Sequence, residues 1–203
     1  MACANVARST NTTCEGNEMY THNPAKTQIY IACAACDTRY GRAPSWKVDP
    51  VPGEWFDLGE CAETPANPCE DPAHEGQLVI LGALEIPGVL HELIGEHGFA
   101  EVAAIARLVK EGANLDAIAG YCAIKRALPK NATALENAIF GQYESTERFA
   151  RDYAEDIYTF EDIEDPLDQY STFAEYWEAE LRHQYHFDAQ SGYVYSYHYV
   201  HAN

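Results

Sequence analysis

QLVILGALEIPGVLHELI (residues 77–94) changes its period halfway along. Up to Ile86 it is a continuous apolar run with β-branched residues, which predicts a buried strand. Pro87 and Gly88 break it. Beyond them Val89, Leu90, Leu93 and Ile94 recur at the spacing of one helix face. Strand and helix therefore follow one another in a short stretch, and the same alternation extends both ways. N-terminal to it, QIYIACAA (28–35) and EWFDL (54–58) read as strands. They are separated by DTRYGRAPSW, rich in turn residues, and followed by a Pro- and acid-rich loop at 59–76. C-terminal to it, Phe99, Val102, Ile105, Ala106 and Val109 form a second helical stripe ending at Gly112. Leu115, Ile118, Ala119 and Cys122 form a third, each with polar residues opposite.

The last third repeats the mixture. Ser145 is placed to cap a helix whose inner face is Phe149, Tyr153 and Ile157. Ser171 is placed to cap another, with Phe173, Tyr176, Trp177 and Leu181 inward. HQYHFD and GYVYSYHYVHA flank Ser191-Gly192 as a terminal β-hairpin. The expected fold is α+β, as three small units in a row rather than one core. Their expected bounds are 28–87, 88–131 and 132–203, the middle one all-helical, with 1–27 as a flexible extension.

Charge narrows the function. The 203-residue chain carries a net charge of -19. Between residues 136 and 188 stand fifteen Asp or Glu against Arg148, Arg151 and Arg182, with no Lys, leaving -12 in that stretch. Disordered acidic segments are poor in aromatics, and this one is not. Such a field repels DNA, RNA and anionic lipid and attracts basic proteins or nucleic-acid-binding clefts. No apolar run reaches membrane-span length, and the N-terminus lacks the apolar core of a secretory signal. Seven cysteines without an export signal are simplest as free thiols in a reducing cytoplasm, so a cytoplasmic chain is expected.

The chemistry-bearing motifs are sparse. Cys33-x-x-Cys36 invites a zinc or redox reading. A structural zinc takes four ligands, usually from two paired motifs. Cys61 and Cys69 are poorly spaced for this even with His74 nearby, and a redox pair opens a helix where this one closes a strand. Unligated thiols are expected. His183 and His186, three apart on a strand, would face opposite ways, so with His198 and His201 they read as surface residues. The acidic run 161–168 lacks the glycine and ligand spacing of an EF-hand. No nucleophile elbow, phosphate loop or metalloprotease motif is present, so no catalysis is expected.

The helix-borne acids are more specific. Glu144, Glu147, Asp152, Glu155 and Asp156 lie away from Phe149 and Tyr153, and Glu175, Glu178 and Glu180 flank the second helix. Spacings of three and four stack carboxylates roughly 5–6 Å apart on one face. Such rows can imitate phosphate rows. By charge, -19 matches roughly ten base pairs of duplex.

At these residues the sequence resembles the ArdA antirestriction family. FGQYESTERFARDYAEDI (140–157) is similar to its Gly-x-Tyr-x-Ser acidic helix. FAEYWEAELRHQYHFDAQSGYVYSYHYV (173–200) is similar to its acidic, Tyr-rich helix and closing aromatic strand. IYIACAACDTRYGR with GEWFDL resembles the family's opening strands, and FAEVAAIARLVKEG its central helix. The resemblance covers residues 28–200 and is thin between 61 and 86. It implies an elongated, dimeric DNA mimic that occupies the DNA cleft of a type I restriction-modification enzyme, without catalysis, cofactor, nucleic acid or membrane. The partner-binding carboxylates would be Glu144, Glu147, Asp152, Glu155, Asp156, Glu161, Asp162, Glu164, Asp165, Glu175, Glu178 and Glu180. The alternatives are an acidic metal-binding protein or enzyme built on Cys and His, or an acidic adaptor for a basic partner.

Overall fold

The computed structural model describes residues 27–36, 53–63, 65–95, 98–158 and 169–202, without the side chains of Ile157 and Tyr158. The expected extension at 1–27 lies outside them except for Thr27, as do Glu161, Asp162, Glu164 and Asp165.

The chain is an α+β protein. Strand β1 (Gln28–Cys33) lies between β2 (Gly53–Asp57) and β3 (Leu78–Leu84) in an antiparallel sheet of order β2-β1-β3. Ile29 and Ile31 alternate inward and are fully buried, while Tyr30 points outward onto Trp55, ring centroids 5.1 Å apart. Gly53 allows that contact, since a Cβ there would stand 2.7 Å from the Tyr30 ring. The apolar run of β3 is buried over Leu78, Val79 and Ile80 only; Leu81 and Leu84 are exposed. A register irregularity between Tyr30 and Ile31 accompanies the change.

Helices α1 (Gly88–Ile94), α2 (Phe99–Lys110), α3 (Leu115–Lys125) and α4 (Ala132–Ala138) follow. Side-chain caps mark the starts of α3 and α4. Asn114 Oδ1 accepts from Asp116 N at 2.8 Å, and Asn131 Oδ1 from Ala134 N at 2.8 Å. Each satisfies one of the donors a helix start leaves without an intrahelical partner. In α2 the stripe Val102, Ile105 and Ala106 is buried as its spacing predicts.

Helix α3 departs from the expected single apolar face. Leu115 and every residue from Ala117 to Cys122 are buried, all round the helix. The covering comes from the far end of the chain. Tyr195 O–H donates to Ala117 O at 3.0 Å, and Lys125 Nζ donates to Val200 O at 2.9 Å. Gly120 is needed there, because a Cβ would overlap the Tyr195 ring.

The second sheet has order β4-β6-β5, with β4 (Ile139–Gln142), β5 (Tyr185–Phe187) and β6 (Tyr193–Ser196) all antiparallel. Helices α5 (Thr146–Tyr158) and α6 (Phe173–Ala179) lie between β4 and β5 in sequence. The hairpin turns where expected, with Gly192 at φ +77 in the region glycine tolerates. Its second arm is shorter than expected, since Tyr197–Ala202 is a helix, α7. Tyr and His alternate too ambiguously to set a period there, and docking of Val200 decides it. The cap of α6 is Thr172, one residue beyond Ser171; Thr172 Oγ1 accepts from Glu175 N at 3.2 Å. Both α4 and β4 lacked a sequence expectation.

Two apolar clusters hold these elements. One joins Ile29 and Ile31 of the first sheet, α1 to α4, Tyr195 and Val200. It includes residues on both sides of Pro87 and of residue 132. The other is smaller and aromatic: Phe149, Ala150, Trp177, Leu181 and Val194, with Tyr143, Tyr153, Phe173 and Tyr185 around them.

Burial has a consequence at high pH. It pushes the Cys122 thiol from 9.0 up to about 12. It also pushes the Tyr143 phenol from 10.0 to about 12, helped by the charges of Asp152 and Asp156. The unfolded chain sheds these protons first, so the contribution to stability is complete below pH 9 and falls as pH rises toward 12. Urea midpoints are expected to drop clearly between pH about 8 and about 11. Equal midpoints would contradict the burial of both groups.

Candidate functional site

The acidic face is built on α5 and α6. Ser145 Oγ accepts from Arg148 N at 3.1 Å, so α5 starts where the sequence predicts. Phe149 is fully buried and is the hub of the aromatic cluster. Its ring meets Tyr143 and Tyr185 at 5.1 Å, Phe140 at 5.3 Å and Trp177 at 5.8 Å, edge-on in each case. Edge-to-face contacts of this kind each add about 0.5–1.5 kcal/mol beyond burial. They clamp α5 to α6 and to the second sheet, so the outward acids stand on a fixed frame.

The predicted carboxylates differ in their surroundings. Glu144, Glu147, Glu155 and Asp156 are exposed, as are Glu175, Glu178 and Glu180. Asp152 is half-buried and paired with Arg148 at 3.0 Å. Arg151 stands 4.0 Å from Glu147, and Arg182 2.7 Å from Glu178. Glu175 accepts from Ser171 N at 2.9 Å, and Glu180 from Tyr170 O–H at 2.8 Å. The three arginines thus lie one helical turn from acids on the same face. Surface pairs at this spacing stabilise a helix by a few tenths of a kcal/mol and leave the net field negative.

A second constellation, poorly spaced in the sequence, is brought together by the fold. Cys33, Cys36, Cys69 and His74 meet, every donor atom within 4.8 Å of the others. His74 Nδ1 lies 3.6 Å from Cys33 Sγ, 3.7 Å from Cys36 Sγ and 3.4 Å from Cys69 Sγ. Cys36 and Cys69 Sγ are 3.6 Å apart, too far for a disulfide. Cys33, Cys36 and His74 are buried and Cys69 is half-buried.

Strand pairing supplies what linear spacing lacks. Cys33 pairs with Leu78, and Ala34 N donates to Gln77 O at 2.9 Å, which lays the end of β1 against the loop before β3. Residues 34–36 turn helical straight after the strand, so Cys33-x-x-Cys36 sits at a strand-to-helix junction and not simply on a strand. On the loop side, Asp71 Oδ1 accepts from Ala73 N at 2.9 Å and opens the 3-10 turn that ends at His74. Asn67 Oδ1 accepts from Cys69 N at 3.0 Å, and its Nδ2 donates to Gln77 O at 3.2 Å. Cys61 is elsewhere, its thiol donating to Asp57 O at 3.5 Å. The signal available in sequence was C-x2-C followed by C-x4-H.

His183 lies in a 3-10 turn, His186 on β5, and His198 and His201 on α7. The premise that these histidines share strands therefore fails. Among the described residues, Cys33, Cys36, Cys69 and His74 are the one group of three or more such donors that meets. Among them too, no helix is long and apolar enough to cross a membrane.

No protein-family model, curated protein or solved structure matches this chain.

Proposed function

We propose that this protein is a DNA mimic of the ArdA antirestriction kind, which occupies the DNA-binding cleft of a type I restriction-modification enzyme as an elongated homodimer. The observation that supports the reading is the pair of acidic helices, α5 and α6, fixed to the second sheet by the Phe149 cluster. Exposed carboxylates held at helical spacing stand in for phosphates. Phosphate contacts position a protein on DNA without reading bases, so a charge lattice is enough to compete. The protein acts in the cytoplasm, by occupancy and without turnover.

Titration into a type I enzyme with its DNA substrate tests this. Inhibition is expected to be stoichiometric, reversible, relieved by excess DNA and weakened by salt. No inhibition at saturating protein, or permanent inactivation by a catalytic trace, would refute it. Small-angle scattering should give an elongated dimer; a compact monomer argues against the mimic. An equally strong complex with any compact basic protein would favour a general acidic adaptor instead.

A further inference from the structure

We propose that Cys33, Cys36, Cys69 and His74 bind one Zn²⁺ ion as a closed structural site that ties the end of β1 to the loop before β3. Zinc holds thiolate sulfur at about 2.3 Å and imidazole nitrogen at about 2.0–2.1 Å, tetrahedrally, which places two sulfurs about 3.8 Å apart and sulfur and nitrogen about 3.6 Å apart. In the structure the separations are 3.6 Å for Cys36–Cys69 and 3.4–3.7 Å for the three sulfurs around His74 Nδ1. Those are the edges of a zinc tetrahedron.

Hydrogen bonding does not account for the same geometry. A neutral imidazole nitrogen has one lone pair, so Nδ1 accepts from only one S–H. Three thiols nevertheless converge on it in a mostly buried setting. A cation at the centre uses all four donors at once. The imidazole orientation agrees: Nδ1 faces the sulfurs, and Nε2 lies 3.6 Å from Asp71 Oδ2. Carboxylates beside the outer nitrogen of a ligating histidine hold its tautomer and ring direction. With three thiolates and one neutral imidazole the coordination shell is complete, which marks a structural site, since catalytic zinc keeps an open position. Binding displaces the three thiol protons to solvent and leaves the His74 proton on Nε2. Three sulfurs with one nitrogen favour zinc over the hard cations Mg²⁺ and Ca²⁺.

The full chain, purified under reducing conditions without chelator, is expected to hold one zinc. Cobalt substitution should produce the visible bands of a tetrahedral thiolate site. Cys69→Ser and His74→Ala should each lower zinc retention by at least tenfold, whereas Cys61→Ser and Cys122→Ser should retain it. Asp71→Asn should keep the stoichiometry and weaken affinity by about 10–100-fold. Chelation should lower the melting temperature of the wild-type chain but not of Cys69→Ser. Should a ligand variant fail to fold, the cobalt spectrum of the wild type still decides. Three results would each overturn the proposal: no metal after anaerobic reconstitution with zinc, cobalt bands without thiolate character, or equal zinc loss in Cys61→Ser and Cys69→Ser. The site is independent of the acidic face, so failure to inhibit a restriction enzyme leaves it standing.

Discussion

Changing Glu144, Glu147 and Glu155 to Gln together with Asp156 to Asn is expected to weaken binding to the target enzyme by roughly five- to nearly a thousand-fold. Each of these acids is exposed, so each contact forms in a screened interface and contributes about 0.2–1 kcal/mol. Four together reach roughly 1–4 kcal/mol, and a single change should be hard to detect. The four are chosen as exposed acids on and just before α5; of them Glu147 stands at the long distance of 4.0 Å from Arg151. Asp152 and Glu178 have close arginine partners, and Glu175 accepts a backbone proton at the start of α6. Changing those would mix folding effects with binding. The salt dependence of binding should also become shallower, because fewer screened contacts remain. Titrations of the wild type and the quadruple variant at two salt concentrations provide the measurement. Equal affinity and equal slope would show that these acids only keep the surface solvated, and the DNA-mimic site would have to lie elsewhere.

Phe149→Ala is the second large effect. The ring is fully buried and meets Tyr143, Phe140, Trp177 and Tyr185 edge-on. Removing a buried phenylalanine costs about 3–5 kcal/mol, through lost burial and the cavity left behind. Whole domains are stable by only about 5–15 kcal/mol. The cluster around Phe149 is small, so the loss falls on the frame that holds α5 and α6. Denaturation should show a much lower midpoint, and inhibition should fall with the folded fraction. Phe149→Leu keeps most of the volume and should recover most of both. If Phe149→Ala lowers stability but leaves inhibition intact, the acids act as a loose polyanion and the rigid frame is irrelevant to function.

Much of this chain is legible locally. The α+β class follows from the change of period at Pro87, and β1, β2, α1 and α2 follow from their own apolar spacing. The start of α5 follows from Ser145, because a cap is chemistry within one turn. Helical spacing alone also sets Glu147, Glu155 and Asp156 on the exposed side of α5. What failed were inferences that needed to know what covers a residue. The stripe in α3 looked one-sided, yet Tyr195 and Val200 return from the other end of the chain and bury its remaining faces. By alternation the histidines near the C-terminus read as strand residues, yet His198 and His201 stand on α7, whose Val200 is buried.

Cys33, Cys36, Cys69 and His74 show the division most plainly. Composition and spacing determined that the thiols and the imidazole exist, but not that they meet. Cys33 and His74 are 41 residues apart, and no local preference measures that gap. Antiparallel pairing of β1 with β3 closes it, a 3-10 turn opened by Asp71 sets the direction of the imidazole, and the helical residues 34–36 bring Cys36 back toward Cys33. Donor geometry depends on distances through space. Those are set when long-range strand pairing closes the intervening loop, a step whose cost and outcome no short window of sequence contains.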